Sequence, residues 1–449
     1  MKTGMATAVF AAVLATTSAA ADLPRYRLEP GMVLTYKGLS RSNYGAMIMT
    51  SETQTTVWVV GRNPDGSARV VVRQGRRNAS AKEGVELKGM DKQPMEFSLA
   101  RLDLFPDGRI APDSEVGSGI SPQTIFPQLP ADEAEAKAGW TVREPNDPDE
   151  RRCDQFQTEP GGWSFRTQSA GPENAIYESL SSSTVHFDAA RGIVKRTETD
   201  HSQNYGFQTK GTATRELVSL ETLEPEKLAA FANAADAYFA GEKAYVEARR
   251  GRERDPAKLE SVLAEAKSAL EKVRDATTEP TFRERLDARL KAHDSLVKYS
   301  VDGAKRLAEV IGKPAPDWKA VGLDGKEHAL ADYRGKVVVL DFWYRGCGWC
   351  IKAMPQMNAV AEHFAGQPVA LLGMNTDPVE ADAKLVADVM SLKYGTIRID
   401  KDLPGKYGVH GFPTLIVIGP DGQVRDVHVG YSKNLQQTLT KSIEALLPH

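Results

Sequence analysis

The chain has 449 residues, 57 basic against 60 acidic, a formal net charge of −3 and 41% hydrophobic content. That length sets a prior of about three domains with ordinary globular cores, and the near balance of charge argues against partners such as nucleic acid or an anionic membrane surface. Three cysteines in the whole chain are too few for a disulfide framework.

In chain order, residues 1–21 read as a signal peptide. Lys2 supplies a thin positive region, Met5–Leu14 is an apolar stretch of small residues, and Ala19-Ala20-Ala21 offers a small-residue cleavage site before Asp22. A spanning helix needs ~20 apolar residues. This run is shorter and ends in Thr16-Thr17-Ser18, so cleavage is expected rather than an anchor. No cysteine near the cleavage site invites lipoprotein processing, and no later stretch spans a bilayer. The mature chain is expected without stable membrane insertion, in an oxidising compartment, most simply a bacterial periplasm.

Residues 22–220 read as a mostly antiparallel β domain. Thr55–Val60 and Ala68–Arg73 flank Asn63-Pro64-Asp65-Gly66, a hairpin signal. Met95–Phe105 leads into the turn Pro106-Asp107-Gly108. Ser183–Phe187 and Ile193–Thr199 flank a turn ending in Gly192, and a last strand lies near Thr212–Leu220. Strands in succession without helices predict an antiparallel barrel or a curved sheet. Glu144–Glu150 reads as an acidic, proline-containing loop. Cys153, within Arg151-Arg152-Cys153-Asp154, is either a thiolate activated by two arginines or a half-buried bystander. The bystander reading is preferred because nothing catalytic is close in sequence.

Residues 221–311 read as a helical spacer. Pro225, Pro256 and Pro280 mark three helix starts. Their apolar positions recur at helical spacing: Leu228, Phe231 and Ala235 in the first, Leu259 and Leu263 in the second, Phe282, Leu286 and Leu290 in the third. The stripes are narrow, which predicts packing on a neighbouring domain. The Arg249-Arg250-Gly251-Arg252 cluster alternates with acids and reads as a solvated turn rather than an anion site.

The last third carries the chemistry. Cys347-Gly348-Trp349-Cys350 follows the apolar run Val337-Val338-Val339-Leu340 and Asp341-Phe342-Trp343. A helix is expected from about Cys350 to Phe364. Cysteines three apart at a helix start share one face, where their sulfurs close a disulfide or open into two thiols. The free N–H groups and positive dipole end there favour a negative sulfur at Cys347. Cys347 is therefore the expected attacking, exposed cysteine, and Cys350 the deeper, resolving one. Asp341 lies in a strand expected to be buried on both faces. Its carboxyl should be raised by desolvation and able to take the Cys350 proton. A structural disulfide or a half zinc site is the alternative, but no further ligand stands at zinc spacing; His363 is thirteen residues on.

Gly411-Phe412-Pro413-Thr414 precedes the apolar run Leu415-Ile416-Val417-Ile418. Proline at the mouth of a buried strand donates nothing to the ladder. A cis Phe412-Pro413 peptide would account for it, placing the Phe412 backbone beside the cysteines, where an extended substrate segment can pair with it. His410 is expected in the same neighbourhood and is read as a loop residue more readily than as an electrostatic tuner of Cys347.

With these motifs on the page, residues 312–449 resemble a thioredoxin-like α/β domain, and within it the TlpA/ResA branch of bacterial extracytoplasmic thiol–disulfide oxidoreductases. The motifs carrying the likeness are Gly312-Lys313-Pro314-Ala315-Pro316-Asp317-Trp318, the hairpin Leu323-Asp324-Gly325-Lys326 with Leu330–Lys336, Asp341-Phe342-Trp343, the cysteine pair, Met354-Pro355 and Gly411–Thr414. Asp377–Ile399, with a helix near Glu380–Leu392, matches the element this branch inserts in its sheet. The resemblance implies disulfide-bearing protein substrates and a membrane thiol reductase of the DsbD or CcdA kind as electron donor. Departures exist. Gly348-Trp349 stands where the family usually has a proline, and Ala353 where many members carry a glutamate, which leaves the acid role to Asp341. Tyr344 stands where a peroxiredoxin carries threonine.

The expected fold class is therefore multidomain: an N-terminal antiparallel β domain, a helical middle and a C-terminal thioredoxin-like fold. The expected activity is reduction of protein disulfides through Cys347 and Cys350, with Asp341 as base. Trp349, Phe412 and Pro413 are expected to bind substrate, with Trp343 beside Trp349 shielding the site or touching the client. No phosphate-cradling loop, metal cluster or serine triad is present in the pattern, so no cofactor is expected. The rivals are a dithiol oxidase or isomerase, and an envelope partner-binding protein whose thioredoxin fold is a scaffold.

Overall fold

The computed structural model describes residues 23–447 except 86–88, 113, 117–119, 144–149, 171–177, 205–207 and 251–254. The signal segment, nearly all of the acidic loop and the Gly251-Arg252 half of the basic cluster lie outside the described residues.

The first strands are β1 (Met32–Tyr44), β2 (Met47–Arg62), β3 (Ala68–Lys82), β4 (Glu96–Leu104) and β5 (Glu115–Val116). Two short helices, α1 (Pro122–Ile125) and α2 (Glu133–Ala138), separate them from β6 (Trp140–Arg143), β7 (Glu150–Glu159), β8 (Gly162–Ala170), β9 (Glu178–Asp188), β10 (Ile193–Asn204) and β11 (Gln208–Thr222). All eleven form one sheet, ordered β5-β4-β3-β2-β1-β11-β10-β9-β8-β7-β6. Pairing is antiparallel throughout, and β1 on β11 joins two meanders at the centre. Among the described residues β5 and β6 are the edges, so the sheet is open and, of the two expected forms, is not a closed barrel. Alternate residues of the strands, among them Leu34, Tyr36, Val57, Val72, Phe165 and Phe187, form a core on one face.

Cys153 belongs to that core at 2% exposure. Burial pushes its thiol up to about 12, and the Arg151 charge opposes this only in part. The activated-thiolate reading is thus corrected, and the half-buried bystander proves fully buried: desolvation outweighs the arginine.

On the opposite face of the sheet, strands β2, β3 and β4 pack against helices. These are α3 (Pro225–Arg250), α4 (Pro256–Ala276) and α5 (Pro280–Val310). Proline occupies the first turn of α4 and α5, and Asp255 caps α4 by accepting from the N–H groups of Ala257 and Lys258. Phe231, Ala235 and Phe239 of α3 and Phe282 and Leu286 of α5 cluster with Val71 and Leu99 of the sheet. Phe282 and Leu286 are wholly buried, each contributing roughly 1.5–3 kcal/mol. The helices are therefore a packed second layer. α5 then runs on, and its end delivers Leu307, Val310 and Ile311 into the C-terminal core, so one helix serves two cores.

The C-terminal part opens with a hairpin of β12 (Lys319–Val321) and β13 (Glu327–Ala329). It continues through β14 (Val337–Trp343), α6 (Gly348–His363), β15 (Val369–Asn375), α7 (Glu380–Val389), β16 (Gly395–Arg398), α8 (Leu403–Lys406), β17 (Thr414–Ile418), β18 (Val424–Val429) and α9 (Leu435–Glu444). The sheet order is β16-β15-β14-β17-β18. β14, β15 and β16 run parallel, while β17 and β18 add antiparallel. This is a thioredoxin-like mixed sheet. Every residue of β14 is buried, as a strand covered on both faces requires. Val338, Leu340 and Phe342 face one core. Val337 and Val339 face the other, formed with Met357 and Val360 of α6 and Leu439 and Ile443 of α9.

Candidate active site

The alternation of β14 decides where the site lies. Asp341 and Trp343 share the parity of Val337 and Val339, so they sit on the face covered by α6. The chain then turns through residues 344–347 into α6, which begins at Gly348, two residues earlier than expected. Cys347 is the N-cap: its Sγ accepts from the Cys350 N–H at 3.1 Å, and its carbonyl accepts from Cys350 and Ile351. Cys347 and Cys350 form a disulfide with their Cα atoms 5.2 Å apart.

The pair is almost covered, with Cys347 5% and Cys350 2% exposed. This corrects the expectation of an exposed Cys347. Trp343, Met354, and Ala383 and Val386 of α7 form one cluster with the two cysteines, and Phe412 packs against it. The helix inserted between β15 and β16 is what closes the site from the side. The loop before Cys347 is tied to that insert. Asp377 accepts from the Arg345 N–H at 2.8 Å and from the Asn375 amide at 2.8 Å, and the Arg345 guanidinium pairs with Asp382.

Asp341 is 3% exposed. Burial raises its carboxyl to about 7, and the hydrogen bond from Tyr394 opposes the rise. The Tyr394 hydroxyl donates to Oδ2 at 2.8 Å, while Oδ1 has no partner among the described residues. Across the sheet Asp341 pairs in register with Gly373, and Gly373 with Thr396. A Cβ on Gly373 would lie 2.7 Å from Trp343 Nε1 and 3.0 Å from Thr396 Oγ1; a glycine is what lets the indole lie on β15. Trp343 is fully buried, so of the two roles expected of the tryptophans, shielding the site or touching the client, its burial fits the first.

Phe412-Pro413 is cis. The Phe412 ring meets Tyr344 edge-on, centroids 5.3 Å apart. Trp349 is 59% exposed and stacks on Tyr431 at 5.6 Å, with the Lys352 ammonium over its ring. Exposed His410 is held below its ordinary value by partial burial and then by Arg306 of α5. Of the expected site residues, then, Cys347, Cys350 and Phe412 share one cluster. Asp341 lies two residues before Trp343 on the same strand face, and Trp349 stands outside on Tyr431. Tyr394, Gly373, Tyr344 and Tyr431 were missed, because each joins the site through long-range register or loop packing. Among the described residues no group of three or more His, Cys, Asp or Glu side chains is arranged to hold a metal ion.

A family model described as the AhpC/TSA family matches residues 311–427. The thiol-disulfide oxidoreductase ResA of Geobacillus thermodenitrificans is 31% identical over 146 residues, covering 32% of this chain and 82% of that protein. The chain belongs to the ResA family of thiol-disulfide oxidoreductases. Membership rests on the C-terminal third alone. The thioredoxin-like protein YneN of Bacillus subtilis is similarly 30% identical, covering 31% of this chain and 85% of the relative. Among solved structures, the thioredoxin domain of a thiol-disulfide oxidoreductase from Bacteroides vulgatus is 28% identical, with a TM-score of 0.28, and covers 30% of this chain and 98% of that one.

Proposed function

We propose that the protein is an extracytoplasmic dithiol enzyme that reduces disulfides in client proteins through Cys347 and Cys350. The observation that carries this reading is a closable cysteine pair at the first turn of α6, with Cys347 Sγ accepting a backbone N–H and a buried, half-titrated Asp341 on the strand beneath that helix. The helix end and the N–H favour negative charge on Cys347 once the disulfide is opened.

The chemistry follows in two exchanges. The Cys347 thiolate attacks one sulfur of the client disulfide, the client S–S bond breaks, and the released client sulfur takes up a proton. The Asp341 carboxylate then takes the Cys350 proton, directly or through water. Cys350 attacks Cys347 Sγ, the internal disulfide forms, and the second client sulfur leaves and is protonated. Two electrons have passed from enzyme to client. An outside dithiol must restore the pair, and a membrane thiol reductase facing the same compartment is the donor this family implies. The exposed Trp349 ring and the Phe412-Pro413 segment are the client-facing parts, the latter by backbone pairing. The leader-like N-terminus supports placement in a periplasm, and no helix of the described residues is long and apolar enough to cross a membrane.

Insulin reduction driven by dithiothreitol tests the reading. Wild type should accelerate it and Cys347→Ser should not, while Cys350→Ala should accumulate a client mixed disulfide identifiable by mass spectrometry. Equal rates for wild type and Cys347→Ser would overturn it in favour of a partner-binding protein with a scaffold thioredoxin fold.

A further inference from the structure

The segment leading to the cis peptide runs along α5, which ends just before the residues that the family model matches. A Cβ on Gly408 would lie 3.2 Å from Val310 Cγ2 and 3.4 Å from the Arg306 carbonyl oxygen. His410 feels the Arg306 charge. A Cβ on Gly411 would lie 3.8 Å from the Tyr299 hydroxyl. Positions 299, 303, 306 and 310 form one helical stripe, so α5 presents a single face to residues 408–411. The C-terminal end of that stripe is fixed, because Val310 sits in the core of the thioredoxin-like part.

At the other end Tyr299 is 65% exposed, the most exposed large apolar or aromatic side chain among the described residues. It makes no hydrogen bond or ring contact among them. Its ring is thus left largely to solvent, next to the loop that carries Phe412 and Pro413. Tyr344, 38% exposed, meets the Phe412 ring and accepts the Cys347 N–H on its carbonyl, and exposed Trp349 lies between the two cysteines in the chain. An aromatic ring with a polar tip gives large contact area at low entropic cost.

We propose that Tyr299 is a client-recognition residue: α5 forms one wall of a groove that receives an extended polypeptide segment of the disulfide-bearing client, alongside Phe412-Pro413. An extended segment is the occupant because the Phe412 N–H and carbonyl make no backbone hydrogen bond among the described residues and can pair with such a segment. This assigns the helical middle of the chain a part in choosing clients, and it rests on the dithiol reading above.

The test compares two substrates of the full-length reduced protein, insulin and bis(2-hydroxyethyl) disulfide. The second has no polypeptide segment to lie in the groove. Tyr299→Ala should lower kcat/KM for insulin by ~5-fold, the size of a single aromatic contact, and leave the small disulfide unchanged. Tyr299→Phe should retain most of the insulin rate, since the ring supplies most of the area. Failure of wild type to reduce the small disulfide would sink the dithiol reading itself. If the small disulfide is reduced and Tyr299→Ala leaves insulin untouched, or slows both substrates equally, α5 is no part of the client groove.

Discussion

Replacing Tyr394 by Phe removes the one hydrogen bond that favours the ionised form of Asp341 while leaving the carboxyl as buried as before. Burial and Tyr394 are the two influences on this carboxyl, and no charged side chain contributes. A hydrogen bond to a charged group is worth ~1.5–3 kcal/mol, and one pKa unit corresponds to ~1.4 kcal/mol, so the variant should titrate about 1–2 units above the native value of about 7. At pH 7 the ionised fraction then drops from about one half to between about one tenth and one hundredth. If Asp341 takes the Cys350 proton, resolution of the mixed disulfide slows by ~5- to 50-fold at pH 7 and recovers near pH 9. The assay is stopped-flow release of a fluorescent peptide from its Cys347 mixed disulfide, followed from pH 5 to 10. A pH profile in Tyr394→Phe superimposable on that of wild type would refute the argument. A uniform slowing with no shift along the pH axis would do so too, by reducing Tyr394 to a packing role.

The same carboxyl makes a stability prediction. Its folded value lies above its unfolded value of 3.8, so its stabilising contribution is complete below about pH 4 and is lost as pH rises through 7. Asp341→Asn should therefore gain on wild type across that window, by up to ~4 kcal/mol above pH 8; a difference between the two denaturation midpoints that does not vary with pH contradicts this. Gly373→Ala drives a methyl toward Trp343 Nε1 and should cost ~1–3 kcal/mol of stability, read in urea melts by loss of the buried tryptophan signal; an unchanged midpoint means the indole has room to move. Cys153, with its thiol pushed up to about 12, should resist iodoacetamide in the folded protein at pH 8 and react only on unfolding, which peptide mapping by mass spectrometry follows.

What could be read from the chain differs from element to element for physical reasons. β14 and β17 are continuous apolar runs, so both strands stood out, and the tetrapeptide between Cys347 and Cys350 together with Pro413 pointed to the site without any fold in hand. Asp341 was legible because a charge inside such a run has nowhere to go but into the core. In the N-terminal sheet the apolar halves of β2 and β3 were visible. Their extensions were not, because residues such as Thr53 and Arg76 alternate with other polar residues and carry no pattern. Tyr394 was hidden for another reason. It lies one residue before β16, and only the parallel pairing of β14, β15 and β16 brings it to a carboxylate 53 residues earlier. The covering of Cys347 has the same origin, since Ala383 and Val386 are unremarkable helix residues until α7 docks on the pair.

These long-range contacts explain why a single helix start does not by itself make the site. The first turn of α6 favours negative charge on the sulfur of Cys347, whereas the core beneath disfavours it on Asp341 and leaves that group half-titrated near neutrality. A carboxyl raised to about 7 is what the proposed exchange requires of a group that takes up the Cys350 proton near neutrality. The loop that carries Cys347 is held by Asp377 and Asp382, which belong to the inserted element, and the same element covers the disulfide. The insertion therefore couples access to the sulfur with the placement of the helix start. α5, anchored by Val310 in the same core, borders the remaining side at Gly411. What surrounds the pair is drawn from three separate stretches of chain, and only the stretch containing the cysteines announces itself in sequence.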